Sequence, residues 1–342
     1  MSEKIKIPWC DSTVNFWSGC SPVSDGCENC YAVTLAHLFS KTFGNGAKKK
    51  FHISAIKEVN QLNRIPLVNN ENSDSYFKKI YDVSNKTGEL PFHRRRVFIN
   101  SMSDWLDDEV PIEWLNQILD IILKSKNIDF LLLTKRPENW NGLLEKISCD
   151  YLTTPNLSKW IDKWLDGNPP SNVWIGVTVE NQAMAEKRIP ELLKIPARVR
   201  FVSCEPLLGA VDLLYSSFDG SESFSAMGCV DWVICGGEIG DRARPMHPDW
   251  ARSLRDQCKV AGVPFFFKQW GEWKYSIDFK NKFKNVSPNT PITHLSIDGH
   301  RGQSFEEMKC HARSKLMVRV GHKRAGSLLD GVEHSAFPEL KL

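Results

Sequence analysis

The chain has 342 residues, of which 42% are hydrophobic and 25% charged, an ordinary globular composition with enough length to bury a large core. A net charge of +3 falls well short of the strongly basic footprint of a dedicated nucleic-acid-binding domain. Ten cysteines with uneven spacing argue against a small disulfide scaffold; with no apolar run of about 18 residues and no secretory block at the N-terminus, a cytosolic protein that does not enter the membrane is expected.

In chain order, TVNFW at 13–17 reads as a first strand, and it is followed at once by GCSPVSDGCENCYA, which carries Cys20, Cys27 and Cys30. Residues 39–95, with polar clusters such as NNENSDS, read as a surface insertion. Six apolar runs follow: VFIN at 97–100, FLLLT at 130–134, VWIGVTV at 173–179, VRFVS at 199–203, WVIC at 232–235 and VPFFF at 263–267. Each has strand length and lacks polar alternation, the pattern of strands covered on both faces in a parallel sheet. Between them lie helical segments, clearest in PIEWLNQILDIILKSK, where Trp114, Leu115, Ile118, Leu119 and Ile122 share a face, and in HPDWARSLRDQCKVAG, which Gly262 ends. The alternation predicts one α/β domain over 1–342, a partial TIM-like barrel of six or seven βα units, mostly parallel, with outer helices. A second insertion is expected at 272–300 and a C-terminal extension at 301–342.

Sites in such folds lie beyond the carboxyl ends of the strands. There the sequence turns polar: Asn100, Ser101, Ser103 and Asp104 after the first run, Lys135 and Arg136 after the next, then Thr178 with Glu180, Glu205, Gly236-Gly237-Glu238, and Lys268. Helix capping explains Asn, Ser, Asp and Thr at strand exits. It does not explain six charged side chains, Lys135, Arg136, Glu180, Glu205, Glu238 and Lys268, on one rim. Gly236 and Gly237 would let a backbone approach a ligand closely.

The cysteine loop follows the first strand and therefore shares that rim. Two metal readings remain open. His37 could complete a Cys3His zinc site, giving a non-catalytic, metal-stabilised binding protein. Alternatively, three thiolates would leave one iron of an iron–sulfur cluster without a protein ligand and free to bind the amine and carboxylate of S-adenosylmethionine.

The loop WCDSTVNFWSGCSPVSDGCENCYA resembles the phage-associated three-Cys-motif family of radical-SAM-like proteins, found in phages and bacteria. The resemblance extends through RRVFINSMSDW, FLLLTKRPENW, NVWIGVTVENQ, RFVSCEPLLGAVDL, DWVICGGEIGDRARPMHPDWARSLRDQC, AGVPFFFKQWGEW and the tail VGHKRAGSLLDGVEHSAFPE. It implies a barrel of the radical-SAM type with a 4Fe-4S cluster on Cys20, Cys27 and Cys30. By the same analogy S-adenosylmethionine would be bound with its methionine end at Asn100, Ser101, Ser103 and Asp104 and its ribose at Thr178 and Glu180, with Gly236 and Gly237 beside it. Lys135, Arg136, Glu205, Glu238 and Lys268 are then the candidates for chemistry. An electron donor of the flavodoxin or ferredoxin kind is implied, and phage context favours a nucleobase, nucleotide or DNA substrate. The basic cluster Lys315, Arg319, His322, Lys323 and Arg324 would offer phosphate contacts, although a solvated helix face accounts for the same charges.

Overall fold

The structure, a computed structural model, describes residues 7–32, 50–64, 94–214, 225–276, 290–304, 307, 311 and 313–339. All seven expected strands form, the first of them ending at Val14 rather than running to Trp17, which joins a separate pair. They are β1 (Ser12–Val14), β4 (Arg95–Ile99), β5 (Ile128–Thr134), β6 (Val173–Thr178), β7 (Val199–Cys204), β8 (Trp232–Gly236) and β9 (Phe265–Gln269). Two short strands, β2 (Trp17–Ser18) and β3 (Lys50–Phe51), pair separately between β1 and β4 in the chain. The seven make one curled sheet in the order β1-β4-β5-β6-β7-β8-β9, every neighbouring pair parallel. This is the expected partial barrel. Its outer face carries helices Ile112–Lys124, Trp140–Ser148, Pro155–Leu165, Gln182–Lys194 and Pro248–Ala261.

Side chains alternate across each strand, and the alternation divides the core in two. Val97, Ile99, Phe130, Leu132, Ile175, Val177, Val202 and Val233 belong to the large cluster under the helices. Phe98, Leu131, Trp174, Phe201, Trp232, Ile234 and Phe266 form a second cluster on the concave face, with Ile7 and Trp9 from the N-terminal segment packed among them. Trp9 lies 4.6 Å from Phe98 and 6.2 Å from Trp232, while Trp174 and Trp232 meet edge to face. The barrel interior is thus plugged by aromatic rings and is no channel. Gly176 makes room for one of them: a Cβ there would sit 2.3 Å from the Phe201 ring.

Two expectations need revision in detail. The 39–95 insertion is not all surface, since helix Ile53–Arg64 buries Ala55 and Val59 in the main core; residues 39–49 and 65–93 lie outside the described residues. The described parts of segments 272–300 and 301–342 are not separate excursions either. They supply β10 (Trp273–Ser276), β11 (Ile292–Leu295), β12 (Arg301–Gly302) and β13 (Lys315–Arg319), which form one antiparallel sheet in the order β10-β13-β11-β12. Residues 334–336 then cover the open edge of β9: the Phe267 N–H donates to His334 O, and the Ala336 N–H donates to Phe265 O. An uncovered strand edge would invite pairing with other chains.

Candidate active site at the cysteine loop

Following the inward-facing positions up each strand leads from the aromatic plug to a polar rim. Phe98 is followed by Asn100, Leu131 and Leu133 by Lys135, Trp174 and Gly176 by Thr178, Phe201 by Ser203 and Glu205, Ile234 and Gly236 by Glu238, and Phe266 by Lys268. One cavity of about 160 Å³ occupies this rim, floored by Trp9, Phe98 and Leu133 and roofed by the cysteine loop. Cys20, Cys27, Cys30, Asn100, Ser101, Ser103, Asp104, Lys135, Arg136, Thr178, Glu205, Gly237, Glu238 and Lys268 all line it. Gly236 and Glu180 do not. Gly236 packs its Cα against the Glu205 side chain, and Glu180 is wholly buried beneath the loop.

Three arginine–carboxylate pairs hold the loop down. Arg136 donates from Nη1 to Asp104 Oδ2 at 3.2 Å, reaches Cys20 Sγ at 3.9 Å, and donates from Nη2 to Ser21 O at 2.5 Å. Asp104 is itself fixed by Thr134 Oγ1 at 2.7 Å and the Lys135 N–H at 2.8 Å. Under the middle of the loop, Arg188 Nη1 meets Glu180 Oε2 at 2.7 Å, and the other Glu180 oxygen accepts from Ser24 Oγ. Gly26 lies directly on this carboxylate, 3.0 Å from where its Cβ would be. At the far end Arg244 grips Glu238 with Nε and Nη2 and reaches across to Asp25 O at 2.8 Å and Glu28 Oε2 at 2.9 Å.

These contacts reassign several expected roles. Arg136 and Glu238 are engaged in positioning the loop, and Glu180, fully buried and outside the cavity lining, is not placed against a ligand in that cavity. The charges that remain toward the cavity are Lys135, whose Nζ is 3.5 Å from Thr178 Oγ1, and the Glu205–Lys268 pair. Asn100 adds an unusual donor. Its backbone is left-handed at φ 58°, its Oδ1 accepts from the Phe16 N–H at 2.8 Å, and its Nδ2 is buried with no partner. Tyr31 lines the wall and donates to Ser101 O at 2.7 Å.

The three loop thiols are partly exposed and unpaired. Burial, with the Asp104 carboxylate second, pushes Cys20 up to about 11, so the metal-free thiol is neutral at pH 7. Cys204 and Cys235, register partners at two strand ends, face the helices beside Cys258, and burial pushes their thiols up as well. They have no part in the cavity. His37 lies outside the described residues.

Sequence reasoning missed Arg188 and Arg244, the cations that hold Glu180 and Glu238. The signal was an arginine eight residues after one rim glutamate and six after the other.

Fold and site together define an α/β half-barrel with a clamped three-cysteine loop over the carboxyl ends of its strands. Residues 4–338 match the model of the family described as "Protein of unknown function (DUF5131)", and the chain belongs to that family. Among curated proteins none matches it. It is similar to solved structures of spore photoproduct lyase. One, complexed with dinucleoside spore photoproduct, is 11% identical over 76% of this chain and 64% of that one, with a TM-score of 0.32. The other, a point mutant of that lyase, is 12% identical over 80% and 69%, with a TM-score of 0.33. The chain therefore spans less than two thirds of the first of these structures. Among the described residues, no helix is long and apolar enough to cross a membrane.

Proposed function

We propose that this protein is a radical S-adenosylmethionine enzyme whose 4Fe-4S cluster is held by Cys20, Cys27 and Cys30. The observation that carries the reading is the joining of an all-thiolate donor set to a cavity with an unsatisfied buried donor, Asn100 Nδ2. A buried amide without an acceptor costs roughly 1–3 kcal/mol, and a ligand carboxylate would supply one. A cluster takes one thiolate on each iron, so three cysteines would leave one iron open to a ligand. The block-by-block resemblance to the phage-associated three-Cys-motif family supports the same reading.

When bound, the reduced cluster would supply one electron to the sulfonium of S-adenosylmethionine, breaking its S–C5′ bond to give methionine and a 5′-deoxyadenosyl radical. The chain's own residues do the rest. Arg136, Arg188 and Arg244 fix the loop, Lys135 and Asn100 offer donors to a carboxylate, Thr178 offers a hydroxyl to a polar edge, and the aromatic plug keeps water out from below. Glu205 and Lys268, held together, can exchange a proton with a ligand at Lys268 Nζ or Glu205 Oε1.

A nucleotide or nucleic-acid substrate is part of the proposal. What supports it is position: Arg319, in the basic cluster, donates to Gly240 O at 2.9 Å, two residues beyond Glu238 on the cavity wall. Salt-dependent retention of DNA should fall when Lys315, Arg319, His322, Lys323 and Arg324 become alanine. For the enzymatic reading, the anaerobically reconstituted protein with S-adenosylmethionine and dithionite should release 5′-deoxyadenosine. Release equal to that of a Cys30→Ala variant would overturn it.

A further inference from the structure

Among the described residues one set of three metal-type ligand atoms lies within 4.8 Å of one another, and it is not at the cysteine loop. It stands on the four-stranded sheet. Asp298 and His300 come from the turn between β11 and β12, and His311 from the segment that leads into β13. Asp298 Oδ2 is 3.4 Å from His311 Nδ1 and 3.8 Å from His300 Nε2, and the two imidazole rings lie 4.3 Å apart at 37°.

The turn is built to aim that oxygen. Ser296 Oγ donates to Asp298 Oδ1 and accepts from the His300 N–H at 3.0 Å, while the Ser296 N–H donates to His300 O at 3.0 Å. Gly299, at φ 91°, gives the reversal. One carboxylate oxygen is thereby used inside the turn, and the other faces both rings. A ligating carboxylate oriented by a second hydrogen bond, with two neutral imidazoles, is the donor set of a borderline divalent ion.

We propose that Asp298, His300 and His311 form a metal site for one divalent transition ion of the zinc kind, independent of the cysteine loop. His300 is 63% exposed, so water completes the coordination. The ion fastens the β11–β12 turn to the chain entering β13, closing a short loop, and its role is to hold the small sheet in register.

The test uses the full chain with Zn2+ alone as the probe. In a Cys20→Ser/Cys27→Ser/Cys30→Ser background, calorimetric titration should show one zinc per chain. His300→Ala with His311→Ala should abolish it, and Ser296→Ala should weaken it by about tenfold or more, the usual effect of losing an outer hydrogen bond to a ligand. If the triple-serine background folds poorly, the unmodified chain should still bind one more zinc than its His300→Ala/His311→Ala variant. Equal zinc content with and without the two histidines overturns the proposal; His300 is 63% and His311 26% exposed, and circular dichroism of the double variant checks that the fold is kept.

Discussion

Arg244 and Glu238 meet in a two-pronged ion pair, Nε to Oε2 at 2.9 Å and Nη2 to Oε1 at 2.5 Å, and the same guanidinium holds the loop that carries Cys27 and Cys30. The pair is mostly buried. Arg244→Ala leaves the Glu238 carboxylate without its partner, and breaking such a pair costs roughly 3–5 kcal/mol. We expect a lower urea midpoint and less iron retained per chain. Arg244→Lys should keep more stability than alanine yet lose iron, because a lysine cannot fork.

Where β8 and β9 end, two glycines allow backbone to touch backbone. A Cβ on Gly237 would lie 2.1 Å from Trp270 O, and one on Gly271 2.2 Å from Glu238 O. Gly237→Ala should therefore destabilise by at least about 1–3 kcal/mol, and Gly176→Ala, against the Phe201 ring, by a similar amount. Gly142→Ala is the control. It lies in helix Trp140–Ser148 with nothing within 4 Å, and should raise stability by about 0.5–1 kcal/mol. Chemical denaturation of the three variants checks the order.

His247 gives a pH dependence. Its Nδ1 accepts the Asp249 N–H at 3.1 Å and its Nε2 lies 2.8 Å from Arg313 O, so the folded ring is neutral with its proton on Nε2. Burial lowers its pKa from the ordinary 6.5. The unfolded chain then takes up the proton first on acidification. Stability present above about pH 6.5 is lost as pH falls toward the lower folded value. His247→Asn keeps a capping oxygen without this titration, so its stability should fall less between pH 7.5 and 5.5. Burial lowers His334 as well, so part of the slope remains.

The Asn100 amide should matter to both the ligand and the fold, because its Oδ1 also satisfies the buried Phe16 N–H. Asn100→Gly keeps the left-handed backbone but removes Nδ2 and the acceptor for the Phe16 N–H. Affinity for S-adenosylmethionine, read by equilibrium dialysis on the reconstituted protein, should drop by about tenfold, equivalent to the roughly 1.4 kcal/mol of one hydrogen bond. Unchanged affinity would remove Asn100 from the binding wall.

Much of this was readable in the chain. Strands covered on both faces must be apolar throughout, so FLLLT and VWIGVTV announce β5 and β6, and Gly262 in the left-handed region ends its helix as expected. The position of Cys20, Cys27 and Cys30 over the rim followed from strand order alone. What stayed hidden was pairing. Nothing local in Arg136 distinguishes a cation that meets a substrate from one spent on Asp104 and Ser21, and Glu180 looked available until its place beneath Gly26 was known. The small sheet escaped notice because strands such as Arg301–Gly302 are too short to show a period, and its order joins segments far apart in sequence.

The central claim is that three thiolates at the cavity mouth hold an iron–sulfur cluster. The most direct measurement is iron and acid-labile sulfide per chain after anaerobic reconstitution, with zinc determined on the same samples. About four irons and four sulfides are expected, falling sharply in Cys20→Ser, Cys27→Ser and Cys30→Ser and unchanged in Cys229→Ser. A colourless protein with zinc on those cysteines and no labile sulfide would contradict the account.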